Sequence, residues 1–446
     1  MTNSSEHRPV SHEPSQLEAS TGKTSELLDV GWLRQLVLES GADDVGFVEI
    51  QREELDDQRD DILRAFPRTK TLISFVVRMN REPLRTVARS TANLEFHHAS
   101  DRVSEVGRSI VRALEDRGIG ALNPAMGFPM EMDNFPGKIW LISHKPVAVA
   151  AGLGKMGIHR NVIHPKFGNF ILLGTVLVDA EVSSYSRPID YNPCLECKLC
   201  VAACPVGAIS PKGDFNFSAC YSHNYREFMG GFIDWVEEIA ESGSRFDYRN
   251  RVADSESSSM WQSLSFGANY KAAYCLSVCP AGEDVIGPYL ADKNSHLTRI
   301  VKPLQDKVET VYVLRNSDAE NHVARRFPHK RRKYVRNTLR PRTIDQLLVG
   351  MPLVFQPGRS SGLNATYHFS FTGDEDRQLT VVIRNKTVNV HEGHLGDAQL
   401  HVTADTRTWL GFLAGEKSIV WALLRRKVRL KGPARLLLAF GKCFPM

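Results

Sequence analysis

Four closely spaced cysteines constrain the fold of this chain more than any other feature. They are Cys194, Cys197, Cys200 and Cys204, and Pro205 follows, so the segment has the pattern C-x2-C-x2-C-x3-C-P. Two intervening residues let a tight loop wrap an iron–sulfur cube, whereas three residues carry the fourth thiolate away to a second cluster. A zinc site more usually consists of C-x2-C pairs. The spacing therefore predicts an iron–sulfur cluster.

A second cysteine run follows but is incomplete. Cys275 and Cys279, before Pro280, repeat the C-x3-C-P ending, but Ala272 stands where a full run would carry another cysteine. Cys220, between the two runs, is the remaining candidate ligand. The crossing-over of ligands typical of two-cluster ferredoxins predicts one complete and one incomplete set. The first cysteine set is Cys194, Cys197, Cys200 and Cys279, and the second cysteine set is Cys204, Cys220 and Cys275.

The sequence leaves the second set open to several interpretations. It could hold a three-iron cluster, or it could take a non-cysteine ligand, for which His223 is the nearest candidate in sequence. Histidine ligation has precedent in iron–sulfur centres. His223 could also be an ordinary loop histidine, and a structural zinc could replace the second cluster.

Composition favours a cytoplasmic redox protein. The 446 residues are enough for about three domains, and 42% hydrophobic and 24% charged residues are ordinary for globular proteins. Seven of the eight cysteines fall within residues 194–279, which argues against a secreted disulfide scaffold. No signal peptide is visible, and the apolar run at 170–178 is too short to span a membrane. The net charge of +5 is mild.

Changes in pattern along the chain predict an α+β multidomain protein. The aromatic-rich segment 221–271 is longer than a minimal ferredoxin needs, and either roofs a pocket or packs on a neighbouring domain. The expected units are a disordered tail (1–25), an α/β domain (26–182), a ferredoxin-like domain with the aromatic insertion (183–300), a basic linker (301–343) and a small α+β domain (344–446).

The basic linker contains a dense run of arginine and lysine. Residues 325–342 include no acid. Such a run can bind phosphate backbones or anionic lipid, although a solvated linker face is the ordinary alternative. We therefore expect no nucleic-acid partner, without excluding one.

A glycine-rich segment precedes the cysteines in a characteristic order. Residues 144–157 read HKPVAVAAGLGKMG, and Leu177-Val178-Asp179 follows before the cysteine run. This series, over about residues 40–290, resembles the epoxyqueuosine reductase and reductive dehalogenase superfamily. The resemblance implies a nitroreductase-like domain that binds a cobamide and receives electrons from two [4Fe–4S] clusters. The cofactor-binding residues it implies are Ala151, Gly152, Leu153, Gly154 and Gly157.

Departures from the family concern the catalytic residues. Epoxyqueuosine reductases carry a proton-donating Asp about thirteen residues before the glycine-rich motif, where this chain has Lys138, with Asp133 a little upstream. The candidate proton donors are therefore Asp133, Lys138 and His144, with surface or structural roles as the alternative for each. No counterpart of the dehalogenase tyrosine can be placed.

The last hundred residues resemble SCP2-type sterol-carrier domains. The resemblance lies in the paired strands, the Gly-His-Leu-Gly-Asp-Ala turn at 393–398, and Lys431-Gly432 before a final apolar helix. It implies that a small apolar ligand lies under the last helix. An oligomerisation or docking module is the alternative.

Together these features predict an iron–sulfur oxidoreductase. Electrons would come from a ferredoxin, a flavodoxin or a flavin reductase, pass through the clusters to a bound cobamide, and reduce a small organic substrate. One alternative is an electron-transfer protein without an active site of its own. The other is a tRNA-modifying epoxyqueuosine-type reductase that grips RNA with the basic run.

Overall fold

The computed structural model describes residues 27–194 and 196–445. The disordered tail predicted for residues 1–25 lies outside the described residues. None of the described helices is both long enough and apolar enough to cross a membrane.

The N-terminal domain is a four-stranded antiparallel sheet with helices on both faces. The strand order is β1-β2-β6-β3. Single 3-10 turns lie at Glu53–Leu55 and Met132–Asn134. The elements are α1 (Val30–Glu39), β1 (Asp44–Glu49), α2 (Asp56–Ala65), β2 (Thr71–Arg78), α3 (Arg81–Arg85), α4 (Arg89–Glu115), β3 (Ala121–Leu122), α5 (His144–Ala150), β4 (Lys155–Met156), β5 (Val162–Ile163) and β6 (Ile171–Val178).

Strand β2 shows why this domain forms three layers. Alternate side chains of a strand point to opposite faces, and here Leu72 and Val76 pack with α2 and α5 while Ile73 and Phe75 pack with α1 and α4. The strand is therefore apolar at nearly every position. On β6, Gly174 is required because a Cβ there would collide with the Phe75 ring.

The cysteine-rich domain consists of short helices and one small parallel strand pair. A π-helical turn covers Leu297–Val301. The elements are α6 (Leu199–Ala203), α7 (Phe217–His223), α8 (Gly230–Glu241), α9 (Arg245–Arg251), α10 (Asp254–Phe266), α11 (Tyr274–Ser277), α12 (Glu283–Ala291), α13 (Lys293–His296), α14 (Lys302–Asp306), β7 (Thr310–Leu314), α15 (Asp318–Arg326) and β8 (Arg331–Val335).

Residues 301–343 are folded, so the expectation of a linker is wrong for this segment. Strands β7 and β8 pair in parallel, and helix α15 connects them. Val311, Val313 and Val323 pack against Cys204. The linker was predicted from the basic residues of this segment, but residues 311–314 are apolar, carry no acid or base, and lie in β7.

The aromatic insertion packs on the N-terminal domain. The Asn93 side chain of α4 exchanges two hydrogen bonds with the backbone of Tyr270, at 2.9 and 3.0 Å. Phe96 lies edge-on to Tyr270, with ring centroids 4.7 Å apart, and Phe128 stacks on Phe228 at 5.5 Å. Of the two roles expected for the insertion, these contacts support packing.

The C-terminal domain is a five-stranded sheet of order β11-β10-β9-β12-β13. Only the β9–β12 pair is parallel. Its core includes Tyr367, Phe369, Trp409 and Phe440. The elements are α16 (Ile344–Val354), β9 (Ala365–Thr372), β10 (Arg377–Arg384), β11 (Thr387–Glu392), β12 (Leu400–Asp405), α17 (Thr406–Leu413), α18 (Ile419–Leu424), β13 (Val428–Lys431) and α19 (Ala434–Cys443).

Candidate iron–sulfur centre

The four cysteines of the first set lie around one cavity. Cys194, Cys197, Cys200 and Cys279 all line this cavity, together with Ile158, His159 and Ile163. The Ile158 N–H donates to Cys194 Sγ at 3.4 Å. Burial, together with the charges of Cys197, Cys194 and Cys275, raises the pKa of Cys279 to about 12.

The second cysteine set is a separate group next to the first. Burial and the neighbouring Cys204 thiolate raise the pKa of Cys275 to about 12. Burial, Cys275 and Cys204 raise the pKa of Cys220 as well. Cys275 also raises the pKa of Cys200, after burial, which shows that the two sets adjoin.

These thiols fit ligands of an iron–sulfur cluster. Buried thiolates that repel one another are unfavourable unless a cationic group binds them, and cluster binding requires the deprotonated form. Among the described residues, no three His, Cys, Asp or Glu side chains are placed to hold a single metal ion. The first set instead surrounds a cavity, as a polynuclear group requires.

Ala272 occupies the same local position as Cys197. Each is followed by a left-handed residue, Lys198 with φ +54° and Ala273 with φ +53°. Each of those residues precedes a short helix, α6 or α11, whose second residue is a cysteine ligand. The backbone of the missing ligand is therefore retained. The Asn224 side chain connects this position with Cys220. Its Oδ1 accepts a hydrogen bond from the Ala272 N–H at 3.1 Å, and its hydrogen bond with the Cys220 side chain opposes the rise of the Cys220 pKa.

His223 makes its contacts at strand β7. The Tyr312 N–H donates to His223 Nδ1 at 3.4 Å, and the His223 Nε2 is buried without a hydrogen-bond partner. Burial lowers the His223 pKa to about 4, with Glu309 opposing. Its role as a fourth cluster ligand stays a prediction.

The N-terminal domain and the insertion supply residues around the second set that sequence reasoning missed. Lys145 of α5 donates to the Arg160 carbonyl at 2.7 Å, and Cys275 and Cys220 raise its pKa against a larger lowering by burial. Burial and the Cys220 charge raise the Tyr270 pKa to about 12, and Tyr225 lies 5.7 Å from Tyr270 between ring centroids. The signal available in the sequence was Lys145 itself, a lysine at the start of the segment 144–157 that contains the glycine-rich motif.

His159 is a further residue of the first set's cavity. It lines the cavity with the cysteines. Its Nδ1 accepts from Asn161 N–H at 3.2 Å, and burial lowers its pKa to about 4. A neutral imidazole is therefore expected there.

The glycine-rich segment packs closely against its own chain. Ala151 and Leu153 are core residues. A Cβ at Gly152 would meet the Arg187 carbonyl and one at Gly154 the Ile163 carbonyl. A Cβ at Gly157 would meet the His159 ring. Close packing within the chain therefore explains why these positions are glycines, and the cofactor-binding role of the five residues stays a prediction.

The three candidate proton donors lie in different surroundings. Asp133 is exposed in a 3-10 turn. Lys138 forms an ion pair with Asp61 of α2, which connects the loop before α5 to that helix. His144 is buried, with Nδ1 2.9 Å from Thr175 Oγ1 and Nε2 3.1 Å from the Ala125 carbonyl. Because burial lowers its pKa and both nitrogens are hydrogen-bonded, these contacts favour the structural role that the sequence left as the alternative for His144, and its role as a proton donor stays a prediction.

Many bases of the run 325–342 are paired within the molecule. Lys330 is fully buried and contacts Glu309 at 2.8 Å. Lys333 pairs with Glu256. Arg336 pairs with Glu241 at 2.6 Å, and Arg340 pairs with Glu237. Arg325, Arg326, Arg331 and Arg332 are exposed.

Two family descriptions match parts of the chain. Residues 187–210 match the 4Fe-4S binding domain, and residues 356–445 match the SCP-2 sterol transfer family. The first match contains the cysteine run, and the second begins after α16 and ends beyond α19. The resemblances inferred from the motifs are confirmed at these positions.

Similar proteins include epoxyqueuosine reductases. That of Cellulophaga algicola is 32% identical over 100 residues, 21% of this chain and 32% of the relative. That of Vibrio cholerae serotype O1 is 31% identical over 108 residues, 24% of this chain and 27% of the relative. The chain thus spans about a third or less of these relatives' length. The solved epoxyqueuosine reductase of Streptococcus thermophilus shares 15% identity and a TM-score of 0.35, covering 66% of this chain and 96% of that one.

The chain therefore matches the 4Fe-4S binding domain at residues 187–210 and the SCP-2 sterol transfer family at residues 356–445, and part of it is similar to epoxyqueuosine reductases.

Proposed function

We propose that this protein is an iron–sulfur reductase in which electrons enter at the first cysteine set and leave from the second. The observation that carries the proposal is the arrangement of the two sets. The four cysteines of the first set line one cavity, and the second set, in which Cys220 and Cys275 are also only partly buried, adjoins it on the side of Lys145 in the N-terminal domain. Such an order suits a relay from an external donor to an internal acceptor.

The chain's own residues would hold and tune two clusters, which supply one-electron transfer when bound. Cysteine thiolates ligate the iron, and the N–H groups of Ile158 and Ala208 donate to Cys194 Sγ and Cys204 Sγ at 3.4 and 3.3 Å. Hydrogen bonds to cluster sulfurs are one of the levers that set the reduction potential. The positive Lys145 would favour the more negative, reduced state of the second cluster.

The identity of the acceptor is a separate proposal. The resemblance implies a cobamide on the N-terminal domain, but residues 151–157 pack against their own chain. The reductase activity depends on the two cysteine sets, whichever group accepts the electrons. If the acceptor is instead another protein, the chain is an electron carrier without its own active site.

A variant of the first set tests the direction of electron flow. Cys197→Ser should abolish reduction of the second cluster by a reduced ferredoxin or flavodoxin, while dithionite, a small reductant, still reduces it. Electron paramagnetic resonance of samples frozen during the reaction measures this. Reduction of the second cluster by the protein donor at the wild-type rate would contradict the proposed entry point.

A second candidate function is tRNA modification. Relatives named epoxyqueuosine reductase favour it, and the exposed Arg331 and Arg332 offer a contact for phosphates. This function predicts salt-dependent tRNA binding. Neutralising Arg331, Arg332 and Lys333 together should remove that binding, whereas no binding at low salt excludes the function.

We also propose that the C-terminal domain holds a small apolar ligand. The SCP-2 match supports this, as does a core lined by aromatic side chains of β9, α17 and α19. Delipidation and mass spectrometry of the extract from the purified protein would test it. An extract without any bound apolar molecule favours a docking role for the domain.

A further inference from the structure

The last thirty residues combine exposed bases with exposed apolar side chains. Residues 417–446 contain eight bases and no Asp or Glu. All eight are exposed to solvent, and Lys427 contacts Asp405 of the preceding strand at 3.7 Å. The eight are Lys417, Arg425, Arg426, Lys427, Arg429, Lys431, Arg435 and Lys442.

Helix α18 turns apolar side chains outward. Ala422 is buried in the domain core, and Ile419 and Leu423 pack against it. On the other side, Val420 is 61% exposed, Trp421 62% and Leu424 68%. Exposed apolar clusters of this kind on an otherwise polar surface typically mark an interaction site.

Bases follow this helix directly. Arg425 and Arg426 end it, and the Arg425 guanidinium lies 5.6 Å from the centre of the Trp421 ring. Long basic side chains can keep their charges in water while their stems cover apolar surface. The surface therefore has an apolar centre with a positive margin.

We propose that α18 and its basic margin dock on an anionic lipid bilayer. Trp favours the level where lipid headgroups meet acyl chains, Val and Leu favour the acyl region, and bases favour anionic headgroups. A nucleic acid would match the bases but offers no comparable place for Val420 and Leu424. A helix of six residues cannot span a bilayer, so the contact is peripheral. This proposal is independent of the proposed reductase activity.

Vesicle flotation of the full-length, cluster-loaded protein tests the proposal. Wild type should float with vesicles of equimolar phosphatidylcholine and phosphatidylglycerol at low salt, and not with pure phosphatidylcholine. Trp421→Ser should weaken the partition about tenfold, the loss of one partly buried large apolar group. Arg425→Gln with Arg426→Gln should weaken it most at low salt, because salt screens charges.

Trp261→Ser is the matched control, since Trp261 is 58% exposed on α10 of another domain. It should bind vesicles like wild type. Unchanged iron content and absorbance in every variant shows that folding is retained. The proposal is overturned if wild type fails to float with the anionic vesicles, or if Trp421→Ser and Trp261→Ser behave alike. It is also overturned if only the arginine substitutions matter and RNA competes the protein off the vesicles.

Discussion

At the scale of single residues, Ala272 decides how many sulfurs the second cysteine set offers. Its backbone repeats that of Cys197, with a left-handed residue after it and a cysteine-bearing helix next. The spacing of the cysteines predicted the missing ligand, because the C-x3-C-P ending recurs at Cys275 and Cys279 without a cysteine at position 272. The structure adds that the position could accept a sulfur.

Restoring a cysteine at this position is the first prediction. Ala272→Cys should raise the iron content by about one atom per chain, because a fourth thiolate lets the second set hold a complete cube. Iron analysis and electron paramagnetic resonance measure the change. Ala273→Cys, at the adjacent left-handed residue, should leave the iron content unchanged. Equal iron in wild type and Ala272→Cys would mean that the second set already has a fourth ligand.

The eighth cysteine provides a control for the ligand assignment. Cys443 is fully buried in the C-terminal core, and burial raises its pKa to about 11. Cys279→Ser should therefore lose the first cluster, about four iron atoms, whereas Cys443→Ala should keep all of its iron. Iron and acid-labile sulfide assays decide between them. Iron loss from Cys443→Ala, or none from Cys279→Ser, would refute the assignment of the first set.

At the scale of secondary-structure elements, the β7–β8 pair shows where charge patterns mislead. Lys330, just before β8, donates to the Leu304 and Lys307 carbonyls at 3.2 and 2.8 Å and contacts Glu309. Burial alone would raise the pKa of Glu309, but the hydrogen bond and charge of Lys330 lower it below its ordinary 4.5. A residue inside a basic run is thus part of the core.

This pair gives a stability prediction. Lys330→Met should cost about 2 kcal/mol at neutral pH, because the buried Glu309 carboxylate loses its nearest cation and keeps the contacts with Lys307 at 3.3 Å and the Tyr274 hydroxyl at 2.7 Å. Since the folded-state pKa of Glu309 is lowered, its contribution is present above pH 4.5 and is lost as the pH falls through that lowered value. The difference between wild type and variant should therefore narrow in acid.

Denaturant unfolding monitored by circular dichroism at several pH values checks this prediction. Arg332→Met is the control, because Arg332 is exposed on β8, which begins directly after Lys330 in the chain, and the loss of unfolding free energy should stay near zero. A similar loss of stability in both variants would show that the buried pair has no special role.

Elements with a strong hydrophobic period were predictable from sequence, whereas loops were not. The hydrophobic pattern of the sequence predicts strands at 71–77 and 400–404 and a helix that begins at 406, and the structure has β2, β12 and α17 at these places. The spacing of apolar residues predicts a helix at 102–117, but α4 begins at Arg89, because its first turns pack on the insertion, a tertiary contact that the sequence pattern does not contain. The glycines at 152–157 were assigned to a ligand, since sequence does not show which atoms fill the space beside a glycine.

At the scale of the whole molecule, the spacing of the cysteines predicted the cluster ligands, but it did not predict which other residues surround them. The two cysteine sets follow from spacing because a cluster fixes its ligands locally. Lys145 reaches the second set from a distant segment, α5, whereas Tyr225 and Tyr270 lie five residues from Cys220 and Cys275 in the chain. The exposed face of α18 likewise became visible only once the core-facing side of the helix was known.

The central claim is that two adjoining cysteine sets hold two iron–sulfur clusters in one reductase. The most direct test is the content of iron, acid-labile sulfide and cobalt in protein purified anaerobically from corrinoid-supplied cells. We expect about seven to eight iron atoms per chain with matching sulfide, and near-stoichiometric cobalt if a cobamide is the acceptor. The same iron without cobalt leaves a reductase with another acceptor or an electron carrier. Four iron atoms or fewer, or zinc in their place, would contradict the two-cluster account.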